Sequence, residues 1–110
     1  MGQRSRRPRA GAWTPVLIWS ETALVDMVRL RRFLEDNDNP QAARRAAEAI
    51  KKGAGLLLDH PGFGKRLEGR QDRELVIPFG KRGYVMRYRL DGDDIVVLKI
   101  WHAKEERRQG

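Results

Sequence analysis

The stretch RELVIPFGKRGYVMRYRLDGDDIVVLKIW, Arg73–Trp101, decides the fold. Its apolar residues recur with a period of two, the spacing of a strand with one face against a core. Two turn signals divide it. Gly80-Lys81-Arg82-Gly83 separates Arg73–Phe79 from Tyr84–Leu90, and Asp91-Gly92-Asp93-Asp94 separates Tyr84–Leu90 from Ile95–Trp101. The second carries the Asp-Gly pair that suits a tight hairpin. Three strands joined this closely form an antiparallel meander.

Upstream, the period changes to that of a helix. Pro15–Trp19 is a short apolar run that reads as a buried strand. Ser20 follows as a helix cap, with Glu21 in the first turn, where the helix dipole favours a carboxylate. Leu24, Met27, Val28, Leu30 and Leu34 then recur at helical spacing, with Asp26, Arg29, Arg32 and Glu35 on the other face. Asp36–Asn39 ends this helix. Asn39-Pro40 opens a second, as cap and first-turn proline. Ala42, Ala43, Ala46, Ala47 and Ile50 give it an alanine-rich face that allows a neighbouring helix close. Leu56, Leu57 and Leu58 continue it to Asp59-His60-Pro61-Gly62, and 62–71 is a loop. So short a link makes the two helices a hairpin. The expected order is β-α-α-β-β-β: an α+β fold, an antiparallel sheet with an N-terminal helical hairpin on one face.

Composition agrees with one small domain. The 110 residues have room for a single core. Residues 1–13 read as a disordered basic tail, 14–107 as the domain and 108–110 as a second tail. Lys and Arg exceed Asp and Glu by 23 to 15, giving +8 net. Such a surplus suits nucleic acid or an acidic partner. The four arginines of 1–13 supply half of it, leaving +4 on the rest. There are no cysteines, which excludes disulfides, zinc–thiolate sites and cysteine nucleophiles and favours the cytoplasm. The apolar run Val16–Trp19 is too short to cross a membrane, so no membrane association is expected.

Strand alternation sorts the meander's side chains. Tyr84, Met86, Tyr88 and Leu90 share one face with Val96, Leu98 and Ile100, and these apolar sets should meet the helices. Val85, Arg87 and Arg89 then share the opposite face with Ile95, Val97, Lys99 and Trp101. An uncovered face that mixes a tryptophan with cations marks a contact surface.

With the element order, RELVIPF (Arg73–Phe79), GYVMRYRL (Gly83–Leu90) and IVVLKIWHAKEER (Ile95–Arg107) on the page, the chain resembles the ParE/RelE toxins of bacterial type II toxin–antitoxin modules. The resemblance covers about residues 14 to 107 and is nearer ParE than RelE. It implies a toxin that stops growth and is neutralised by a cognate ParD-like antitoxin in a hetero-oligomer. It implies no cofactor and no metal. ParE-like members poison DNA gyrase; RelE-like members cleave mRNA on the ribosome.

A metal-free nuclease needs a proton acceptor, a proton donor and cations for the phosphate. His102, Glu74, Arg73, Arg87 and Lys81 are the candidates here. The set departs from the RelE-like pattern. Gly80 falls near the place of an arginine, Glu105 replaces the arginine after the last strand, and no tyrosine follows Tyr88. The resemblance therefore implies inhibition of gyrase as the first reading, with a RelE-like ribosome-dependent mRNA endonuclease as the alternative. Arg73, Arg87, Arg89, Lys99, Trp101, His102 and Lys104 are the expected target contacts. Leu24, Val28, Leu57, Val85, Arg87, Val97 and Trp101 are the expected antitoxin contacts, the first three as exposed apolar parts of the hairpin.

Overall fold

A computed structural model describes residues 14–37 and 39–105. The tails expected at 1–13 and 108–110, and the end of the domain at 107, lie outside these. The elements are β1 (Leu17–Trp19), α1 (Glu21–Asp36), α2 (Pro40–Asp59), β2 (Lys65–Arg66), β3 (Arg73–Ile77), β4 (Tyr84–Asp91), β5 (Asp94–His102) and a final 3-10 turn (Ala103–Glu105).

Both helices start where their caps predict. The Ser20 hydroxyl accepts the N–H of Ala23 at 3.0 Å, and Asn39 Oδ1 accepts that of Ala42 at 3.2 Å. The hairpin lies on one face of the sheet. There Ile50, Ala54 and Leu57 of α2 join Ala23 and Leu30 of α1 and Leu75, Ile77, Tyr84, Met86 and Tyr88 of the sheet in one core. Gly53 lets α2 come close: a Cβ on it would stand 3.0 Å from the Ile77 side chain.

The sheet order is β1-β5-β4-β3-β2. The meander β3-β4-β5 is antiparallel, as expected, and Gly92 takes positive φ in the tight β4–β5 turn. The first strand differs. β1 pairs with β5 in parallel, Leu17 opposite Ile95, so the sheet is mixed. The segment 62–71, expected to be all loop, contributes the two-residue edge strand β2. β3 stops at Ile77, before Pro78, which has no N–H to offer the ladder.

The expected face assignment fails in the first half of β5. The register runs Tyr88 opposite Val97 and then Arg87 opposite Lys99, so Leu98 is an extra residue. This bulge shifts the alternation by one. Ile95 and Val97 therefore point into the core, beyond the bulge Ile100 does so too, and Lys99 and Trp101 face outward. Val97 is thus a core residue, not part of an open face.

α1 departs from expectation at one residue. Ala23, Asp26 and Leu30 are buried, while Leu24 and Val28 are 53% and 40% exposed. That residue is Asp26, expected on the solvent side because of its charge. Its carboxylate is turned inward to bond the backbone of β5.

Candidate functional site

Three groups of polar side chains are organised by this fold. The first lies on the sheet face away from the helices. Cross-strand register aligns Lys65, Glu74, Arg87 and Lys99 in one row. Glu74 Oε2 accepts from Arg87 Nε at 3.0 Å and from Nη2 at 2.6 Å. The same guanidinium stands 5.2 Å from the centroid of the Trp101 ring, in cation–π range. Trp101 and Val85 are buried, against the expectation of an uncovered apolar patch. Arg87 lying over the indole is one reason. What this face offers to solvent is mainly charge: Arg89 and Lys65 are exposed and Lys99 is half-buried.

The second group pins the loop after α2. The Tyr88 hydroxyl, inside the core, donates to Pro61 O at 2.7 Å and accepts from Gly64 N at 2.8 Å. Burial pushes its pKa up, partly offset by the Gly64 bond and by nearby Arg73. Arg73 Nη1 donates to the carbonyls of Gly62 and Gly64. A side chain on Gly64 would collide with the Tyr88 ring. Arg73 is therefore committed to holding backbone.

The third group is at the far end of the sheet. Asp26 Oδ2 accepts Ile100 N at 2.9 Å, and Arg29 Nη2 donates to Ile100 O at 3.2 Å. Arg29 Nη1 also donates to Glu105 Oε2 at 2.6 Å, while Glu105 Oε1 accepts His102 N at 3.0 Å. These bonds fold the final turn back against α1. His102 packs edge-on against Tyr84, with centroids 5.3 Å apart, and its Nδ1 accepts Lys104 N at 2.9 Å. Burial is the main influence lowering the His102 pKa. Lys104 and Arg82 lower it further, and Glu105 opposes them. At neutral pH the ring is thus uncharged, and the bond to Nδ1 puts its proton on Nε2. Tyr84 beside it is pushed up by burial and by Glu105. His102 and Tyr84 border a cleft of about 690 Å³ between α1 and the β3–β4 turn.

The five residues weighed for nuclease chemistry do not all converge. Glu74 and Arg87 are paired on the outer face. Arg73 and His102 lie on the helix side, opposite Tyr88 and Tyr84 of β4 respectively. Those tyrosines are four residues apart, about 13 Å along a strand. Lys81 is in the cleft with His102. Of the expected target contacts, Arg87, Arg89, Lys99 and Trp101 are on the outer face, and His102 and Lys104 are at the cleft. Of the expected antitoxin contacts, Leu24 and Val28 are exposed. Leu57 is not, because α2 turns it into the core beside Ala54. The cleft residues Phe33, Phe79 and Arg82 and the latch residues Arg29 and Glu105 were missed. Phe33 falls outside the helix's apolar spacing, which marks an exposed hydrophobe, and it is 64% exposed.

The fold is shared with solved structures. The chain superposes on a chain of the chromosomal ParDE toxin–antitoxin system from P. aeruginosa with a TM-score of 0.68, at 20% identity, covering 82% of this chain and 96% of that one. The intact E. coli RelBE toxin–antitoxin complex gives 0.55 at 17% identity, covering 79% and 94%. These likenesses define the class of fold.

The family follows from sequence. Residues 17–107 match the model for the ParE toxin of the type II toxin–antitoxin system parDE. Toxin RelE3 of Caulobacter vibrioides is 40% identical over 82 residues, 74% of this chain and 87% of that protein. Toxin RelE1 of the same organism is 37% identical over 94 residues, 86% and 99% of the two chains. The chain belongs to the ParE toxin family of type II toxin–antitoxin systems. No helix among the described residues is long and apolar enough to cross a membrane.

Proposed function

We propose that this toxin stops growth by binding and poisoning DNA gyrase, not by cutting RNA, and that a cognate ParD-like antitoxin neutralises it in the cytoplasm. The observation that carries this reading is the dispersal of the nuclease candidates. Arg73 holds a loop and Arg87 is tied to Glu74. His102 has neither an unoccupied ring acceptor nor a charge at neutral pH. General acid–base chemistry needs such groups around one phosphate. Surfaces suited to protein contact are present instead. The antitoxin is assigned to exposed Leu24 and Val28 on α1, joined by Val25, and to the cationic outer face with Arg87, Arg89 and Lys99.

The test is a supercoiling assay with purified toxin, with and without co-expressed antitoxin. Inhibition or trapped cleaved DNA, relieved by antitoxin, is expected. Unaffected supercoiling together with codon-dependent cuts in translated mRNA refutes it.

A second reading, a RelE-like ribosome-dependent mRNA endonuclease, is favoured by one observation. His102 shares its cleft with the cations Lys81, Arg82 and Lys104. On that reading His102→Ala abolishes transcript cleavage and growth arrest; on the first it leaves chemistry nothing to lose.

A further inference from the structure

We propose that the cleft between α1 and the β3–β4 turn is the target-docking pocket, and that it receives an acidic protein segment carrying one aromatic or aliphatic anchor residue. This rests on the reading of the toxin as an inhibitor by protein contact, and deepens it by naming the surface and its ligand chemistry.

Shape is the first argument. The cleft, about 690 Å³, is within the usual range for a pocket that encloses a side chain and its neighbours. Two of its walls are regular elements, the C-terminal half of α1 and the end of β5, and the third is the glycine-bounded β3–β4 turn. The Asp26–Arg29–Glu105 bonds fix the distance between α1 and the end of β5, so these two walls are set before any partner arrives.

Chemistry is the second. The floor is apolar, with Leu30, Leu34, Phe79 and the edge of Tyr84, and Phe33 stands exposed at the mouth. The rim is cationic. Lys81, Arg82 and Lys104 border the cleft, and none makes an ion pair among the described residues. Glu105, the carboxylate in the lining, is already held by Arg29 at 2.6 Å. His102 adds the Nε2–H donor left over from its bond to Lys104. An apolar floor inside a ring of cations that make no ion pair among the described residues, with one neutral donor, complements carboxylates flanking a buried anchor. Nucleic acid fits less well. It would engage the rim but would leave the apolar floor to a base edge.

The cleft is also distinct from the surface assigned to the antitoxin. Leu24, Val25 and Val28 lie on the first half of α1, and Phe33 lies on its last turns, about one and a half to two and a half helical turns further on. A variant can therefore separate the two contacts.

The test uses the full chain with K81E/R82E/K104E and, separately, Phe33→Ala. A labelled synthetic peptide of Asp and Glu around a single Trp is the probe, beside a single-stranded oligonucleotide of equal charge. Gyrase inhibition and antitoxin affinity are measured on the same preparations, with thermal melts to confirm folding. The expected result is peptide binding that weakens with salt. It falls at least about tenfold in the triple variant, roughly 1.4 kcal/mol, and severalfold in Phe33→Ala. Gyrase inhibition is lost in parallel, and antitoxin affinity changes little. The proposal is overturned if the oligonucleotide binds wild type more tightly than the peptide does. It is also overturned if both variants bind peptide like wild type, or if antitoxin affinity falls as far as peptide affinity. Wild type that binds peptide but leaves supercoiling untouched overturns the choice of gyrase and leaves the pocket standing.

Discussion

The carboxylate of Asp26 in α1 accepts the main-chain N–H of Ile100 in β5 at 2.9 Å, across 74 residues of sequence. β1 covers the edge of β5 only from Ile95 to Val97, and Ser20 takes the carbonyls of Val97 and Leu98. Beyond that point Asp26 accepts from Ile100 and Arg29 donates to it. Two helix side chains thus do what a longer β1 would have done, and close an edge that would otherwise pair with another chain. Asp26→Ala is expected to lose about 1–3 kcal/mol, the usual cost of leaving a buried donor unpaired. Asp26→Asn keeps an acceptor and is expected to lose less. Urea denaturation midpoints check the order; equal midpoints for Asp26→Ala and wild type would refute the role.

Glu74, Arg87 and Trp101 form a second unit whose coupling is measurable. Both charged side chains are about four-fifths buried, so solvent screens this pair less than a surface ion pair. A double-mutant cycle on Glu74→Ala and Arg87→Ala is expected to show a coupling of about 1–2 kcal/mol, within the range for residues in contact. Arg87→Lys keeps the charge but cannot give two bonds to Glu74 while lying over the indole. Its stability should therefore approach that of Arg87→Ala. A coupling near zero would make the pair incidental.

Tyr88→Phe tests the anchoring of the 61–64 loop. It removes one hydroxyl and strands both Gly64 N–H and Pro61 C=O. A loss of about 1–3 kcal/mol is expected, with faster hydrogen exchange at Gly64. Unchanged exchange there would show that Arg73 alone holds the loop.

The His102 environment sets a pH dependence with a definite sign. Its folded pKa lies below the ordinary value of 6.5. The unfolded chain then binds a proton more readily, and stability falls as pH drops from about 6.5 through the folded pKa. The contribution is complete above 6.5. Proton NMR should show the His102 resonance titrating low, and His102→Gln should remove that share of the acid slope. A His102 resonance titrating at or above 6.5 contradicts the assignment.

Much of the site was legible in part only. His102, Lys104 and Lys81 were picked out from residue type and position and do share a cleft, yet Arg82, Phe33 and Phe79 beside them carried no signal that distinguishes a pocket wall from a loop. Arg73 and Arg87 were picked out as ready cations. Their partners, the Gly62 and Gly64 carbonyls and Glu74, commit them elsewhere, and such partners are known only once strands are aligned.

The sequence by itself determined what depends on neighbours along the chain. Ser20 and Asn39 start helices because their side chains reach an N–H three residues on. Asp91–Asp94 turns because Gly92 accepts positive φ, and the period of two makes Tyr84–Leu90 a strand. Those are local energies of one or two turns. Tertiary structure decided everything set by a balance between distant groups. The extra residue at Leu98 moved Ile95 and Val97 from the expected outer face into the core and left Trp101 outside, because a bulge is fixed by both strands of a pair. Asp26 went inside, because a distant N–H needed an acceptor. β1 joined β5 in parallel at the edge opposite β2, a pairing of Leu17 with Ile95 that no local signal in either segment encodes.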